Sequence, residues 1–345
     1  MALTSTSRLL SPEEIAVQAG QLVTYLRLPE RSTLFGEREM RLRQRADGHS
    51  MRDFLLFMAE LTHVQHDLLQ AHPTVALPDR SALDAASRAG LPPLPAALWP
   101  RDPAWRDGLR QLIGRLLPRL DGSPAQAPVL AFQAAAQVDD DWIEQQADRL
   151  LNGVMLGLDL AAVPLIAAAL QAYWTHLVLA TDAARTANQP APFGRTDDAT
   201  LCPCCGSRPT ASVSRIGGDA GHRYLHCSLC SAQWHMVRIK CSHCLSTKGI
   251  HYQSLQLAEG ASSHAKQPVE AETCDECGHY LKIVHMERDA HVEPVADDLA
   301  SVTLDLLVSE AGFQRHGVNL MLLFGDPDEG QTESSQAHPP DGGGG

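Results

Sequence analysis

Cys202-Pro203-Cys204-Cys205-Gly206 is the stretch that decides the fold of this 345-residue chain. Two thiolates on one short turn converge on a single ion, and two such turns complete a tetrahedral shell of four sulfurs around zinc or iron. The chain contains four Cys-x-x-Cys pairs, so we predict two four-cysteine metal sites. Their eight predicted ligands are Cys202, Cys205, Cys227, Cys230, Cys241, Cys244, Cys274 and Cys277.

The spacing of the pairs favours a consecutive grouping. Twenty-one residues separate the first pair from the second, 29 separate the third from the fourth, and only ten lie between Cys230 and Cys241. We therefore expect the first pair to join the second and the third to join the fourth; a cross-braced grouping is the alternative. Gly206 and Gly278 follow the second cysteine of their pairs, where a positive φ turns the backbone toward the metal. These two turns resemble rubredoxin knuckles.

Several residues near the pairs have a second possible role. Cys204, the ninth cysteine, is interpreted as a bystander inside the knuckle rather than as an alternative ligand or a redox thiol. A thioredoxin-like dithiol would need a βαβ setting, and short strands with Pro and Gly surround the pairs instead. Four histidines could replace a sulfur, but with eight paired cysteines we expect them to be exposed or to support the ligands. They are His226, His235, His243 and His279.

Outside the cysteine region the apolar periodicity is helical. We predict helices over 11–28, 51–72, 105–120, 142–155 and 164–180, the last of them buried on most sides. Four arginines on one helical stretch are interpreted as a solvated face with Glu37 and Glu39 as partners. They are Arg38, Arg41, Arg43 and Arg45.

Around the cysteines the periodicity shortens to that of strands, which we predict over 223–226, 233–239 and 281–286. A further amphipathic helix is expected from Asp298, ending at Gly312. The residues predicted to face inward from it are Leu299, Val302, Leu306 and Leu307. The turn Arg315-His316-Gly317 after this helix is a candidate for part of a docking surface.

These elements predict an α+β fold with a helical N-terminal domain, two small rubredoxin-like (zinc-ribbon-like) β modules and a C-terminal helix. The predicted units, in order, are a helical domain 1–186, a linker 187–200, a first four-cysteine module 201–240, a second module 241–295, a C-terminal helix and segment 296–330 packing back on the rest, and a disordered tail 331–345.

Charge and composition exclude several classes of protein. The formal net charge is −13, and residues 201–295 are neutral before the thiolates are counted, which disfavours nucleic-acid binding. The N-terminal residues lack the apolar region of a secretory signal, so we expect a cytoplasmic protein whose thiols stay reduced. The most apolar stretch is interrupted by Asp159 and Pro164, so we expect no membrane insertion. No motif of an enzyme active site is present, and we expect no catalytic activity.

The chain resembles the FdhE family, accessory proteins for formate dehydrogenase, over most of its length. The stretches that carry the resemblance are Cys202-Pro203-Cys204-Cys205-Gly206, Cys227-Ser228-Leu229-Cys230, Lys240-Cys241-Ser242-His243-Cys244 and Cys274-Asp275-Glu276-Cys277-Gly278. The apolar segment 164–174 and the C-terminal segment 297–313 are also similar to the family's. The third residue of the first knuckle is itself a cysteine, which leaves open which sulfurs bind at that site.

The resemblance implies two rubredoxin-like modules with iron as the metal in each of two mononuclear four-cysteine sites; zinc is the alternative. It further implies a cytoplasmic protein that binds the catalytic subunit of a respiratory formate dehydrogenase before export and is needed for that enzyme to become active. The iron sites would then scaffold the interface or transfer electrons. A zinc-ribbon nucleic-acid binder and a dithiol oxidoreductase are the competing hypotheses. The sequence does not indicate an oligomeric state.

Overall fold

The computed structural model describes residues 23–255 and 267–323. The predicted tail 331–345 and most of the predicted helix 11–28 lie outside these ranges. The end of that helix prediction is wrong, because Leu26–Arg27 is a short strand, β1. It pairs with a strand of the cysteine region, and this distant partner is invisible to local periodicity.

Seven α-helices precede the cysteine region in the described part of the chain, and one short 3₁₀ helix, Leu117–Leu120, follows the fourth of them. The seven are α1 (Leu34–Ala46), α2 (Arg52–Gln70), α3 (Arg80–Arg88), α4 (Ala104–Leu116), α5 (Gln126–Val138), α6 (Asp140–Asn152) and α7 (Val163–Ala183). The four predicted helices of this region after 11–28 are confirmed as α2, α4, α6 and α7. The helices α3 and α5 were not predicted from the sequence.

Helix α7 is the centre of the helical domain. Its sequence is apolar on all sides, and it contacts α2, α4 and α6, which bury the whole of Tyr173 and Trp174. By length and composition α7 is apolar enough to cross a membrane, but 83% of its most apolar window is buried inside the protein. The buried core helix expected from the sequence is therefore confirmed.

The cysteine region and the C-terminal segment form one mixed sheet. Its strands are β1, β2 (Pro209–Ser214), β3 (Arg223–Cys227), β4 (Gln233–His235), β5 (Ile250–Gln253), β6 (Val269–Cys274), β7 (His279–His285) and β8 (Gln314–Arg315). The order is β1-β4-β3-β2-β7-β6-β5, and β8 pairs in parallel with the first two residues of β7. The predicted α+β class is confirmed, and the two four-cysteine modules are joined because β2 pairs in parallel with β7.

The strand 233–239 is shorter than predicted. Strand β4 ends at His235, and Val237 and Ile239 beyond it are 51% and 66% exposed. The chain leaves the sheet at this point because it must reach the second cysteine module.

The arginines of α1 correct the prediction of a solvated face. Arg38 and Arg41 are buried, and their carboxylate partners come from the segment before and inside α8 (Pro294–Leu299). Arg38 Nε donates to Glu293 at 3.0 Å, and Arg41 donates to Asp297 from Nε and Nη2 at 2.7–3.0 Å. Only the expected pairing of Arg43 with Glu39 is present, at 2.8 Å.

The predicted helix from Asp298 is divided into α8 and α9 (Val302–Glu310). The break frees the backbone carbonyl of Asp298 to accept a hydrogen bond, at 2.8 Å, from the buried ammonium group of Lys282. Because the break rotates α9, two of the residues predicted to face inward, Leu306 and Leu307, are 57% and 49% exposed.

The prediction was also wrong about which residues of α9 are buried, since Leu304 and Val308 fill the interior instead. The predicted stop at Gly312 is confirmed, with a φ of +90° just after the helix.

Replacing Asp297 by Ala removes the buried carboxylate that Arg41 binds through Nε and Nη2, and leaves only the partly exposed Asp289, which lies 2.8 Å from Nη1. We expect the free energy of unfolding to fall by about 3 kcal/mol, the low end of the cost of breaking a buried ion pair, because Asp289 still offsets part of the Arg41 charge. Urea denaturation of the full chain measures the change. The control is Asp53→Ala, which removes an 82% exposed carboxylate and should change stability by less than about 0.5 kcal/mol. Equal midpoints for the two variants would show that the Arg41 pair is not stabilising.

Candidate metal centres

The structure brings the first four predicted ligands together. The sulfurs of Cys202, Cys205, Cys227 and Cys230 lie within 4.8 Å of one another, and the closest pairs are 3.4–3.6 Å apart. A tetrahedral metal with metal–sulfur bonds of about 2.3 Å places its ligands about 3.8 Å apart. The four side chains therefore form a shell of the right size for one zinc or iron ion.

The last four predicted ligands form a second group of the same size. The sulfurs of Cys241 and Cys277 are 3.8 Å apart, and so are those of Cys244 and Cys274. The first pair thus lies with the second and the third with the fourth, as the spacing favoured, and the cross-braced grouping is not present. That these eight thiols bind metal stays a prediction, which the donor set and the separations fit.

All four knuckles share one backbone conformation. The residue after the second cysteine has a positive φ in each, from +59° to +74°. These residues are Gly206, Ser231, Leu245 and Gly278. From the sequence, a positive φ is expected only at the two glycines, since serine and leucine rarely adopt this conformation. Its presence at all four positions indicates that the turn geometry is imposed by the convergence of the thiols.

Burial, neighbouring thiols and backbone donors act in opposite directions on the ionisation of the sulfurs in the first group. The N–H groups of Leu229 and Cys230 both lie 3.4 Å from the Cys227 sulfur. Burial opposes ionisation in this group, but hydrogen bonds from its thiol neighbours hold the pKa of Cys202 well below its usual value. Burial and the neighbouring Cys202 raise the pKa of Cys227 and Cys230. A divalent ion would remove this conflict by deprotonating all four thiols together.

The first group is built into the helical domain. The backbone carbonyls of Cys204 and Cys205 accept hydrogen bonds from Leu94 and Ala96 in the segment between α3 and α4, at 3.0 and 2.8 Å. Gln171 of α7 donates to the carbonyl of Ser228 at 2.8 Å, inside the second knuckle. The first centre is therefore part of the main core, and its four sulfurs belong to buried residues.

The second group lies at the surface. Cys244 is exposed and Cys277 is half-buried, whereas Cys241 and Cys274 are buried. His279 stands beside it, and its Nδ1 donates to the carbonyl of Cys277 at 2.7 Å. The two centres thus have the same donors but opposite access to solvent.

The remaining residues singled out near the knuckles take different places. Cys204 is fully buried but lies outside both groups of four, in agreement with its interpretation as a bystander. His226 and His235 are in neither group, and burial, then the charge of Arg38, lowers the pKa of His226 to about 3. His243 stacks on His279, with ring centroids 3.9 Å apart.

The docking surface predicted at Arg315-His316-Gly317 is wrong, because His316 and Gly317 are buried. The Arg315 guanidinium donates to Asp298 and Asp305 at 2.7 and 2.8 Å, so it is engaged in two ion pairs inside the protein. Burial, then the charge of neighbouring His243, lowers the pKa of His316 to about 4. This turn is an internal support for the second module.

The second group of cysteines is exposed to solvent and the first is buried, and this difference predicts two rates of metal loss. When metal-loaded protein is mixed with a coloured chelator, we expect one ion per chain to leave quickly and the other slowly, because only the second centre is open to solvent. Cys244→Ser should abolish the fast phase and keep the slow one. The matched variant Cys205→Ser should do the reverse. A single rate for both ions in the unmodified protein would contradict the assignment.

Three family models match nearly the whole described chain. They are described as the N-terminal part of FdhE, the central domain of FdhE and the C-terminal domain of FdhE, and they cover residues 23–191, 201–238 and 239–322. The boundary between the last two falls between the two cysteine groups.

Named relatives and a solved structure agree with these matches. An FdhE homolog of Cronobacter sakazakii and one of Klebsiella pneumoniae are each 36% identical over 310 residues, or 90% of this chain and 94% of theirs. The crystal structure of the FdhE protein from Pseudomonas aeruginosa is similar with a TM-score of 0.73 and 37% identity, over 88% of this chain and 100% of that one. The chain therefore belongs to the FdhE family.

Proposed function

We propose that this protein is a cytoplasmic accessory factor for a respiratory formate dehydrogenase, which binds the catalytic subunit of that enzyme before export and is needed for its activation. The observation that carries the proposal is the match of all three FdhE family models along one chain, with both groups of four cysteines intact. The protein acts through binding, and we expect no catalytic activity of its own.

Each centre holds one iron ion in the proposal, and zinc is the alternative. The first centre is held by Cys202, Cys205, Cys227 and Cys230, and the second by Cys241, Cys244, Cys274 and Cys277. Iron in a shell of four thiolates can cycle between two oxidation states, whereas zinc can only stabilise the fold.

The two centres have separate roles. The first is enclosed by the helical domain through Leu94, Ala96 and Gln171, so it fixes the sheet to the helices. The second exposes Cys244 and is bordered by His243, so it is the centre that a client protein can reach. Docking at the second module brings the client within short range of the metal, whether the ion supports the surface or exchanges electrons.

The test is capture of the client by a variant without the second centre. Tagged protein carrying Cys241→Ser and Cys244→Ser is expressed anaerobically in its own host, purified, and the co-purified proteins are identified by mass spectrometry. We expect the unmodified protein to retain a formate dehydrogenase catalytic subunit and the double variant to lose it. Circular dichroism should show the helical domain still folded, because the first centre and α7 are untouched.

Cys204→Ser is the matched control, since it removes a cysteine that lies outside both groups. It should keep both the metal content and the captured subunit. Capture of the subunit by the double variant at the level of the unmodified protein would show that the second centre does not build the interface. Failure of the unmodified protein to capture the subunit would overturn the proposed function itself.

A further inference from the structure

Two histidines and one cysteine converge beside the second centre. One ring nitrogen of His243, one ring nitrogen of His279 and the sulfur of Cys277 all lie within 4.8 Å of one another. Metal–ligand bonds of about 2.0–2.3 Å place neighbouring donors about 3.3–3.8 Å apart, so the three atoms need to close by no more than about 1.5 Å around an ion. His243 is exposed, and Cys277 and His279 are half-buried. The group is therefore open to an ion from solution.

The His279 ring is already oriented like that of a bound ligand. Its Nδ1 donates to the backbone carbonyl of Cys277 at 2.7 Å, and because a carbonyl only accepts, the proton of the neutral ring is on Nδ1. Nε2 then carries the lone pair that a metal ion requires. Histidines that bind metals usually donate their other ring N–H to a carbonyl or a carboxylate in this way. The contact fixes both the tautomer and the orientation of the ring.

Aromatic contacts hold the ring of His243 next to that of His279. The two rings are stacked, with centroids 3.9 Å apart and planes inclined by 20°. The buried residue His316 contacts the His243 ring edge-on, at 4.9 Å between centroids. The backbone N–H of His243 lies 3.4 Å from the Cys241 sulfur, within the third knuckle. The second imidazole is therefore kept close to the first, and less side-chain entropy is lost when both bind one ion.

The charge of the second centre favours a further cation. Four thiolates around one divalent ion leave a net charge of −2, and two neutral imidazoles add none. Arg208 is near enough for its charge to act on His243, and it offsets part of this negative charge. A divalent cation is attracted to the remainder, because water at a protein surface only partly weakens the attraction between charges a few ångströms apart.

We propose that His243, His279 and Cys277 bind a further divalent transition-metal ion of the zinc type, in addition to the ion of the four-cysteine centre. Cys277 is the shared ligand, since a thiolate sulfur has enough lone pairs to bind two ions at once. Imidazole and thiolate donors favour zinc and similar ions over magnesium and calcium. Three protein ligands leave one tetrahedral position for water. The site depends on the geometry of the second group of cysteines and not on the proposed client protein.

The test adds cobalt(II) to the full chain, purified anaerobically with both four-cysteine centres loaded. Cobalt binds the same nitrogen and sulfur ligands as zinc, and elemental analysis distinguishes it from the iron or zinc already present. We expect one cobalt ion per chain to bind without loss of the first two ions, with a thiolate-to-cobalt absorption band that reports bonding to Cys277. Cobalt bound only in exchange for a resident ion, or not at all, would overturn the proposal. The client protein takes no part in this assay, so either result leaves the accessory role to be tested separately.

Two variants locate the ion. His243→Phe keeps a ring that can stack on His279 but has no ligand nitrogen, and His279→Phe makes the same change on the other ring. Each should weaken cobalt binding about tenfold or more and keep both resident ions, because the four cysteines are unchanged. His291→Phe, at an exposed histidine outside all three groups, is the matched control and should bind cobalt as the unmodified protein does. Unchanged cobalt affinity in His243→Phe would show that the histidines are not ligands.

Discussion

Arg38 and Arg41 are buried in α1, and the carboxylates that neutralise them lie 255 and 256 residues further along the chain. An unpaired charge in a protein interior is so costly that α1 can pack only where Glu293 and Asp297 are already present. The same short segment supplies Asp298 to the buried Lys282 of the sheet. Helical domain, sheet and C-terminal helices are therefore held in one arrangement by a single acidic segment.

In this arrangement one of the two candidate metal centres is enclosed by the protein and the other is open to solvent. The parallel pairing of β2 with β7 joins the modules, so the orientation of the second centre is set by the first, which is fixed to the helices. The buried centre is fixed to the helices, and the open centre, on the neighbouring half of the same sheet, faces the solvent. This arrangement fits the accessory role proposed above, in which the second group of cysteines faces the client protein.

The features predicted correctly from the sequence are local ones. Four Cys-x-x-Cys turns and the apolar run of α7 are visible within a few residues, so the α+β class and the grouping of the cysteines followed from spacing. The errors concern distant partners. Arg41 was predicted to be solvated because Asp297 is remote in the sequence. Leu306 was predicted to be buried because the break between α8 and α9, where Lys282 binds the Asp298 carbonyl, has no local signal. A cavity between α1, the sheet and the segment before α8 could not be predicted either, because its walls come from three separate parts of the chain.

The span between Arg41 and Asp297 also sets an order of events during synthesis. At about 5–20 residues per second, a ribosome needs roughly 13–50 s to add the 256 residues that separate them. For nearly all of that interval Arg38 and Arg41 lack their carboxylate partners, and β1 lacks its partner strand β4 for almost as long. The N-terminal part of the chain therefore completes its packing last, so nascent or prematurely ended chains are the ones most exposed to chaperones and proteases.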